Sequence, residues 1–307
     1  MNPFDGRPTP PKDAASEPEQ SPAQEASGET LQPLEITAQD LAAVDQLPQP
    51  VRAYPEDLEI SWSWAHFVVF VVFVVVSFVL VNTVTLIAYA PRQRMSREQL
   101  QQYFMSKPEV AIGSMLLLYA CIIFFLYVTL SLLRGHPFWQ TLGWRKLKPK
   151  FDGLPRNPLV YFVSGCGLSL LVALATAKMK TPENMPMEEL FKYRQTALLF
   201  LAMAVLVAPL VEETLFRGYM YPLFARSFGV RPGIAVTGVL FGLMHGAQLG
   251  WTWALVSVLI FVGIVFTMVR ARTGSVFASY LMHLGYNSLI SIFAILGTHG
   301  FTKLPDH

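Results

Sequence analysis

Charge is scarce in this 307-residue chain: Asp, Glu, Lys and Arg together make up 14% of it, against about a quarter in ordinary soluble domains. The net charge of +2 gives no basis for a nucleic-acid partner. Cysteine is nearly absent. Cys121 and Cys166 each sit inside an apolar run, where small packing residues are expected rather than a disulfide. The aspartates, at positions 5, 13, 40, 45, 57, 152 and 306, avoid every long apolar run, which excludes an aspartyl dyad at membrane depth. There is no His-Glu-x-x-His run of a zincin and no Gly-x-Ser-x-Gly elbow of a serine hydrolase. An apolar h-region is missing from the first fifty residues, so no signal peptide is expected.

What is present is hydrophobicity, at 53% of residues and a mean hydropathy of +0.41. Residues 1–60, rich in Pro, Glu, Gln, Ala and Ser, read as a disordered tail, since they bury too little surface to offset chain entropy. A short helix at Thr37–Leu47 is compatible with Thr37 as its cap. Beyond the tail, several stretches reach the roughly 20 apolar residues that cross a bilayer. They fall at Ala65–Ala90, Val110–Leu133, Pro158–Ala177, Thr196–Phe216 or further, Gly233–Gln248, Trp251–Val269 and Ser275–Leu296. The β-branched residues of the first would favour a strand in water; in lipid, internal backbone hydrogen bonding favours a helix.

The expectation is therefore an all-α, polytopic membrane helix bundle of seven transmembrane helices, or eight if a loop segment is re-entrant. Helices 1–3 and their loops occupy 61–195, four further helices 196–296, and a short tail 297–307. Lys178–Gln195 reads as a polar loop with an amphipathic piece at Met187–Tyr193. Trp62, Trp64, Trp139 and Trp144 suit a lipid interface. Counting Lys and Arg in the flanking loops, Arg217 and Arg270 among them, places the N-terminus inside by a modest margin. The long acidic, Pro-rich tail and the lack of an organellar address favour a prokaryotic inner membrane.

Against this background a few ionisable residues stand out. Between Glu189 and Asp306 the carboxylates are Glu212 and Glu213, inside an apolar segment where a charge costs about 2.5–3.5 kcal/mol on insertion scales. Glu213 and Arg217 are spaced i, i+4 and can pair on one helix face. Glu212 lies about 100° further round the helix and is left to face an interior cavity, as a general base must. Downstream, His245 falls in Phe-Gly-Leu-Met-His-Gly (241–246), and His283 and Asn287 are again i, i+4. Taken singly, each has a bland reading: a histidine bonding helix to helix, an interfacial ion pair, an asparagine as interhelical glue. One Glu, two His and one Asn on three helices can instead surround a single water or a metal ion.

Three motifs in order, Glu-Glu-x-x-x-Arg (212–217), Phe-x-x-x-His (241–245) and His-x-x-x-Asn (283–287), resemble the CPBP family of CAAX-processing and bacteriocin-processing intramembrane proteases, also called Abi. The resemblance covers roughly Thr196–Leu296. It implies a membrane endopeptidase in which Glu212 activates water, His245 and His283 hold it or stabilise the oxyanion, and Asn287 supports them. Glu213 and Arg217 would fix the geometry. The family's conventional label implies a divalent metal, zinc, held by His245, His283 and Glu212, with an open position as in catalytic zinc sites. A metal-free glutamate mechanism uses the same residues.

The implied substrate is a membrane-embedded or membrane-associated peptide or protein, met within or beside the lipid bilayer. Gly218, Gly238 and Gly242 are candidates for helix separation that would admit it. The competing functions are a non-catalytic membrane immunity or scaffold protein, and a proton-coupled transporter using Glu212 and the histidines as a relay.

Overall fold

A computed structural model describes residues 56–179 and 191–301, apart from 92, 97–98, 101–102, 105–106, 148–153 and 192. The helix expected at Thr37–Leu47 lies outside these residues, as does most of the amphipathic piece at Met187–Tyr193.

Every regular element among the described residues is helical. After a single 3₁₀ turn, Glu56–Leu58, come α1 (Trp64–Ala88), α2 (Pro108–Tyr127), a short α3 (Phe138–Thr141) and α4 (Pro158–Thr176). The catalytic-half candidates follow: α5 (Arg194–Leu206), α6 (Ala208–Glu213), α7 (Tyr221–Phe228), α8 (Val230–Met244), α9 (Trp253–Thr273) and α10 (Val276–Gly297). Among the described residues six spans are long and apolar enough to cross a membrane, one of them the 35-residue run Arg194–Phe228 that includes α5 to α7. The remaining expected helix, Gly233–Gln248, is α8, apolar but only 15 residues long.

Local chemistry explains the boundaries. Ser63, Asn157 and Ser275 each cap a helix by accepting the N–H of His66, Leu159 and Phe277, satisfying donors that have no partner within the helix. Pro108 and Pro158 open α2 and α4, where a missing N–H does no harm. Gly274, at φ 69°, closes α9 in the left-handed conformation that glycine tolerates.

The long run Arg194–Phe228 is not one regular helix. Pro209 follows a break at Val207, and residues Thr214–Met220 wind as a π-helix, with Tyr221 N–H donating to Phe216 O. Pro222 gives the reason. Its ring would clash with a carbonyl one turn back in α geometry, and the wider π winding relieves that clash. π segments of this kind are often found at functional sites.

Burial grades from the edge inward. The most apolar window of α1 is 17% buried and that of Arg194–Phe228 is 44% buried. The α1 residues Val68, Val72, Val75 and Val79 are all more than half exposed, the surface a lipid-facing helix presents. Arg194–Phe228 is central. Glycines set the closest helix contacts. Gly165 of α4 and Gly285 of α10 face each other's backbones, and Gly238 and Gly242 of α8 lie against Ile264 and Ile260 of α9. The last two were expected to help helices part. They do the opposite, since a side chain at either position would collide with α9, and Gly218 is likewise closed against Leu142 O.

Two further expectations change. Trp62 is 4% exposed and stacks on Tyr219 with centroids 5.3 Å apart, so it is a core residue rather than an interfacial one; Trp64 and Trp139 are exposed. Arg217 and Arg270 are buried within the bundle and drop out of the loop-charge count, which narrows the margin for an inside N-terminus.

Candidate active site

Glu213 and Arg217, one helical turn apart and both fully buried, pair at 2.9 Å between Oε1 and Nη1. The rest of the guanidinium is also held. Its Nη2 donates to Gly263 O at 2.8 Å and its Nε to Thr267 Oγ1 at 3.2 Å, both on α9. Phe241 covers it, ring centroid to Cζ 4.5 Å, with Phe266 5.4 Å away. Two ions are tolerable here because each is paired and hydrogen-bonded, which is what offsets desolvation. Gly263 lets α8 pack closely on α9 beside this pair: a Cβ there would meet Gly238 O at 2.8 Å and the Phe241 ring at 3.0 Å.

His283, on α10 and 3% exposed, joins this pair. Its Nδ1 lies 3.0 Å from Glu213 Oε1. A carboxylate paired with arginine can only accept, so Nδ1 carries the hydrogen and Nε2 presents a lone pair when the ring is neutral. That Nε2 faces Glu212, 3.8 Å from Oε2. The ring is wedged between Phe266 (4.7 Å) and Phe241 (5.7 Å). Buried Glu213 thus orients a histidine whose working nitrogen points at the second carboxylate.

Glu212 differs from its neighbour. It is partly exposed, at 16% of its side chain, and among the described residues no arginine is within ion-pair range of it. Its other oxygen, Oε1, is 3.5 Å from the hydroxyl of Tyr119 on α2. His245 ends α8, at its C-cap. Its Nδ1 is 2.8 Å from Phe241 O, and a carbonyl accepts, so here too the neutral ring keeps its Nε2 lone pair free of that bond. Phe241 touches both histidine rings, at 4.8 Å from His245 and 5.7 Å from His283.

Of the residues singled out in the sequence, the fold brings Glu212, Glu213, Arg217 and His283 into ion-pair or hydrogen-bond range, with His245 across the Phe241 ring. Asn287 is engaged elsewhere: its Nδ2 donates to Ala204 O of α5 at 2.8 Å, tying α10 to the helix that precedes the glutamates. Among the described residues no three His, Cys, Asp or Glu side chains gather as a metal site. Of the set His245, His283 and Glu212, His283 and Glu212 come within 3.8 Å of each other, and His245 lies across the Phe241 ring from His283.

Tyr119 and Thr267 were not anticipated. Each is one hydroxyl in an apolar run, a signal too common to stand out. Trp144, expected at a lipid interface, instead donates Nε1–H to Thr214 Oγ1 at 3.1 Å, beside Glu213. A second polar group is built from His66, whose Nδ1 lies 2.7 Å from Tyr219 OH and Nε2 2.9 Å from Thr129 Oγ1.

Residues 194–289 match the family model for type II CAAX prenyl endopeptidase Rce1-like proteins, the stretch that contains every residue of the three motifs. The match covers 96 of the 307 residues and agrees over that stretch with the resemblance to the CPBP intramembrane proteases. No curated protein and no solved structure matches the chain significantly.

Proposed function

We propose that the protein is an intramembrane endopeptidase in which Glu212 activates a water for attack on a peptide bond of a membrane-associated substrate. The observation that carries this reading is the pairing of two unlike carboxylates through one histidine. Glu213 is locked by Arg217 and His283, while Glu212, 3.8 Å from His283 Nε2, keeps some exposure. One carboxylate is used for geometry and the other stays available for proton transfer. Water gives its proton to Glu212 as its oxygen adds to the carbonyl carbon. The C–N bond then breaks as Glu212 returns the proton to the departing amine, leaving a carboxylate and an amine.

The histidines supply position and polarity. The water's second hydrogen goes to the Nε2 lone pair of neutral His283 or His245; a cationic ring would be needed to donate to the oxyanion. Tyr119, close to Glu212 Oε1, is placed to steady the carboxylate. Asn287 supports the same site through α5. The surroundings Phe241 and Phe266 keep the polar cluster dry, which strengthens each interaction.

Glu212→Gln tests the reading directly in a cleavage assay with membrane peptides and the purified protein in bilayers. Expected is loss of turnover by at least about 100-fold with an unchanged unfolding transition. Cleavage that persists at wild-type rate sinks the mechanism. The step needs no metal, since Glu212 itself takes the proton from water and returns it. Activity is accordingly expected to survive prolonged chelation; inactivation that added zinc reverses would restore the metal reading.

A further inference from the structure

The loop between α3 and α4 carries Arg145, Lys146 and Arg156. Its residues 144–147 and Arg156 line, with Pro158 and Phe277, an open cleft of about 400 Å³. Arg145, Lys146 and Arg156 supply three positive charges, and none of the described lining residues is acidic. Trp144, Leu147, Pro158 and Phe277 supply an apolar wall. Pro158 and Phe277 belong to the first turns of α4 and α10, so the cleft opens where these helices enter the apolar layer. Directly along α4 from it, Leu159 is 62% and Val163 57% exposed.

We propose that this cleft is a binding site for an anionic phospholipid, its phosphate held by Arg145, Lys146 and Arg156 and its acyl chain laid along α4. The occupant follows from the combination. A cationic rim alone would suit any anion, and an apolar wall alone any lipid tail. A cationic rim joined to an exposed apolar helix at its membrane end matches an anionic lipid and little else. Zwitterionic lipid brings a choline charge that the same rim repels.

The site is wired to the helices that carry Glu213 and His283. Gly143 O accepts from Val276 N–H at 2.9 Å and Arg145 O from Ser275 Oγ at 2.5 Å, clamping the loop to the start of α10. Trp144 contacts Tyr280 of α10 (centroids 5.3 Å apart) while bonded to Thr214 of the π-helix. A lipid that orders the loop therefore stiffens two of the segments around His283. Binding itself is independent of whether the protein is a hydrolase.

The test reads binding rather than turnover. Full-length protein is extracted in mild detergent with phosphatidylglycerol and phosphatidylcholine in equal amounts, and retained lipid is measured by native mass spectrometry. Wild type is expected to retain phosphatidylglycerol selectively. Each cation near the headgroup is worth roughly fivefold in affinity, so K146Q/R156Q should lose on the order of 25-fold in that preference. The control R94Q/K178Q, which removes two exposed charges outside the cleft, should keep it. Equal retention of the two lipids by wild type overturns the proposal, as does an equal loss in the control. Displacement of the lipid by millimolar inorganic phosphate would also overturn it, by reducing the cleft to a small-anion site. Should K146Q/R156Q fail to fold, quenching of wild-type tryptophan emission by chain-brominated lipids decides. Phosphatidylglycerol must quench more than phosphatidylcholine, and equal quenching rejects the site.

Discussion

Glu213 has two partners competing for one oxygen: Arg217 at 2.9 Å and His283 at 3.0 Å both meet Oε1. Replacing it by Gln keeps the shape and removes the charge. Arg217 is then a buried cation whose remaining hydrogen-bond partners, Gly263 O and Thr267 Oγ1, are neutral acceptors, and breaking such a pair costs about 3–5 kcal/mol. His283 is affected as well, because a side-chain amide can present N–H or C=O and no longer imposes the Nδ1–H tautomer. The same change beside the histidine of serine proteases lowers kcat by roughly 10⁴. Glu213→Gln should therefore lower both the unfolding midpoint and the turnover per folded molecule, measured by denaturant titration and peptide cleavage on one preparation. Unaltered values for both would remove Glu213 from either role.

At the scale of elements, His245 depends on how tightly α8 sits on α9. Gly242 is three residues before it, and a Cβ there would approach Ile260 N to 2.6 Å and Ile260 Cα to 2.9 Å. Backbone cannot rotate away as a side-chain tip can, so Gly242→Val must push α8 outward. Overpacking of this kind costs about 1–3 kcal/mol, and the displacement carries His245 off the Phe241 ring. The expected result is lower thermal stability together with lower turnover. Gly113→Val on α2, where nothing lies within 4 Å, serves as the comparison and should change little. If Gly242→Val matched Gly113→Val in both measurements, the close packing would be irrelevant to the site.

The π-helix is the other element-scale device. Thr214–Met220 carries Arg217, and its winding sets where the guanidinium lies relative to Gly263 and Thr267. Pro222, a local feature of the sequence, drives that winding, yet its effect is felt one turn earlier. The sequence motif shows the spacing; it does not show that the spacing is read on a widened helix.

For the whole molecule, the N-terminal approach to α1 is pinned across the bundle. Arg270 of α9, 1% exposed, pairs with Asp57 Oδ2 at 3.2 Å and donates to Asp57 O at 3.1 Å. Leu58 packs with Tyr221 and Ala225, and Trp62 stacks on Tyr219. This anchor joins the lead-in to α1, a largely exposed helix, to α9 and to the central run Arg194–Phe228. Asp57→Asn should cost about 3 kcal/mol by leaving Arg270 partly uncompensated, and should speed hydrogen exchange in residues 56–64. Because no bond connects Arg270 to Glu212 among the described residues, cleavage should be retained at temperatures where the variant is folded. Exchange as slow as in wild type would mean that the pair is not what holds the segment.

The sequence by itself determined that the chain is a helical membrane bundle and where its helices run, most boundaries lying within a few residues of those expected. Hydrophobic length and helix caps are local, and lipid leaves an apolar segment of that length no other way to satisfy its backbone. It also separated Glu212 and Glu213 from their surroundings, since charge in an apolar run is conspicuous. Only the tertiary structure decided which nitrogen of His283 faces Glu212, and that Tyr119 approaches the same carboxylate from a helix outside the matched segment. It likewise turned Gly238 and Gly242 from hinges into contacts, drew Arg270 inward, and directed Asn287 to a backbone carbonyl. These depend on which helix faces which, a matter of packing between segments distant in the chain that no single segment records.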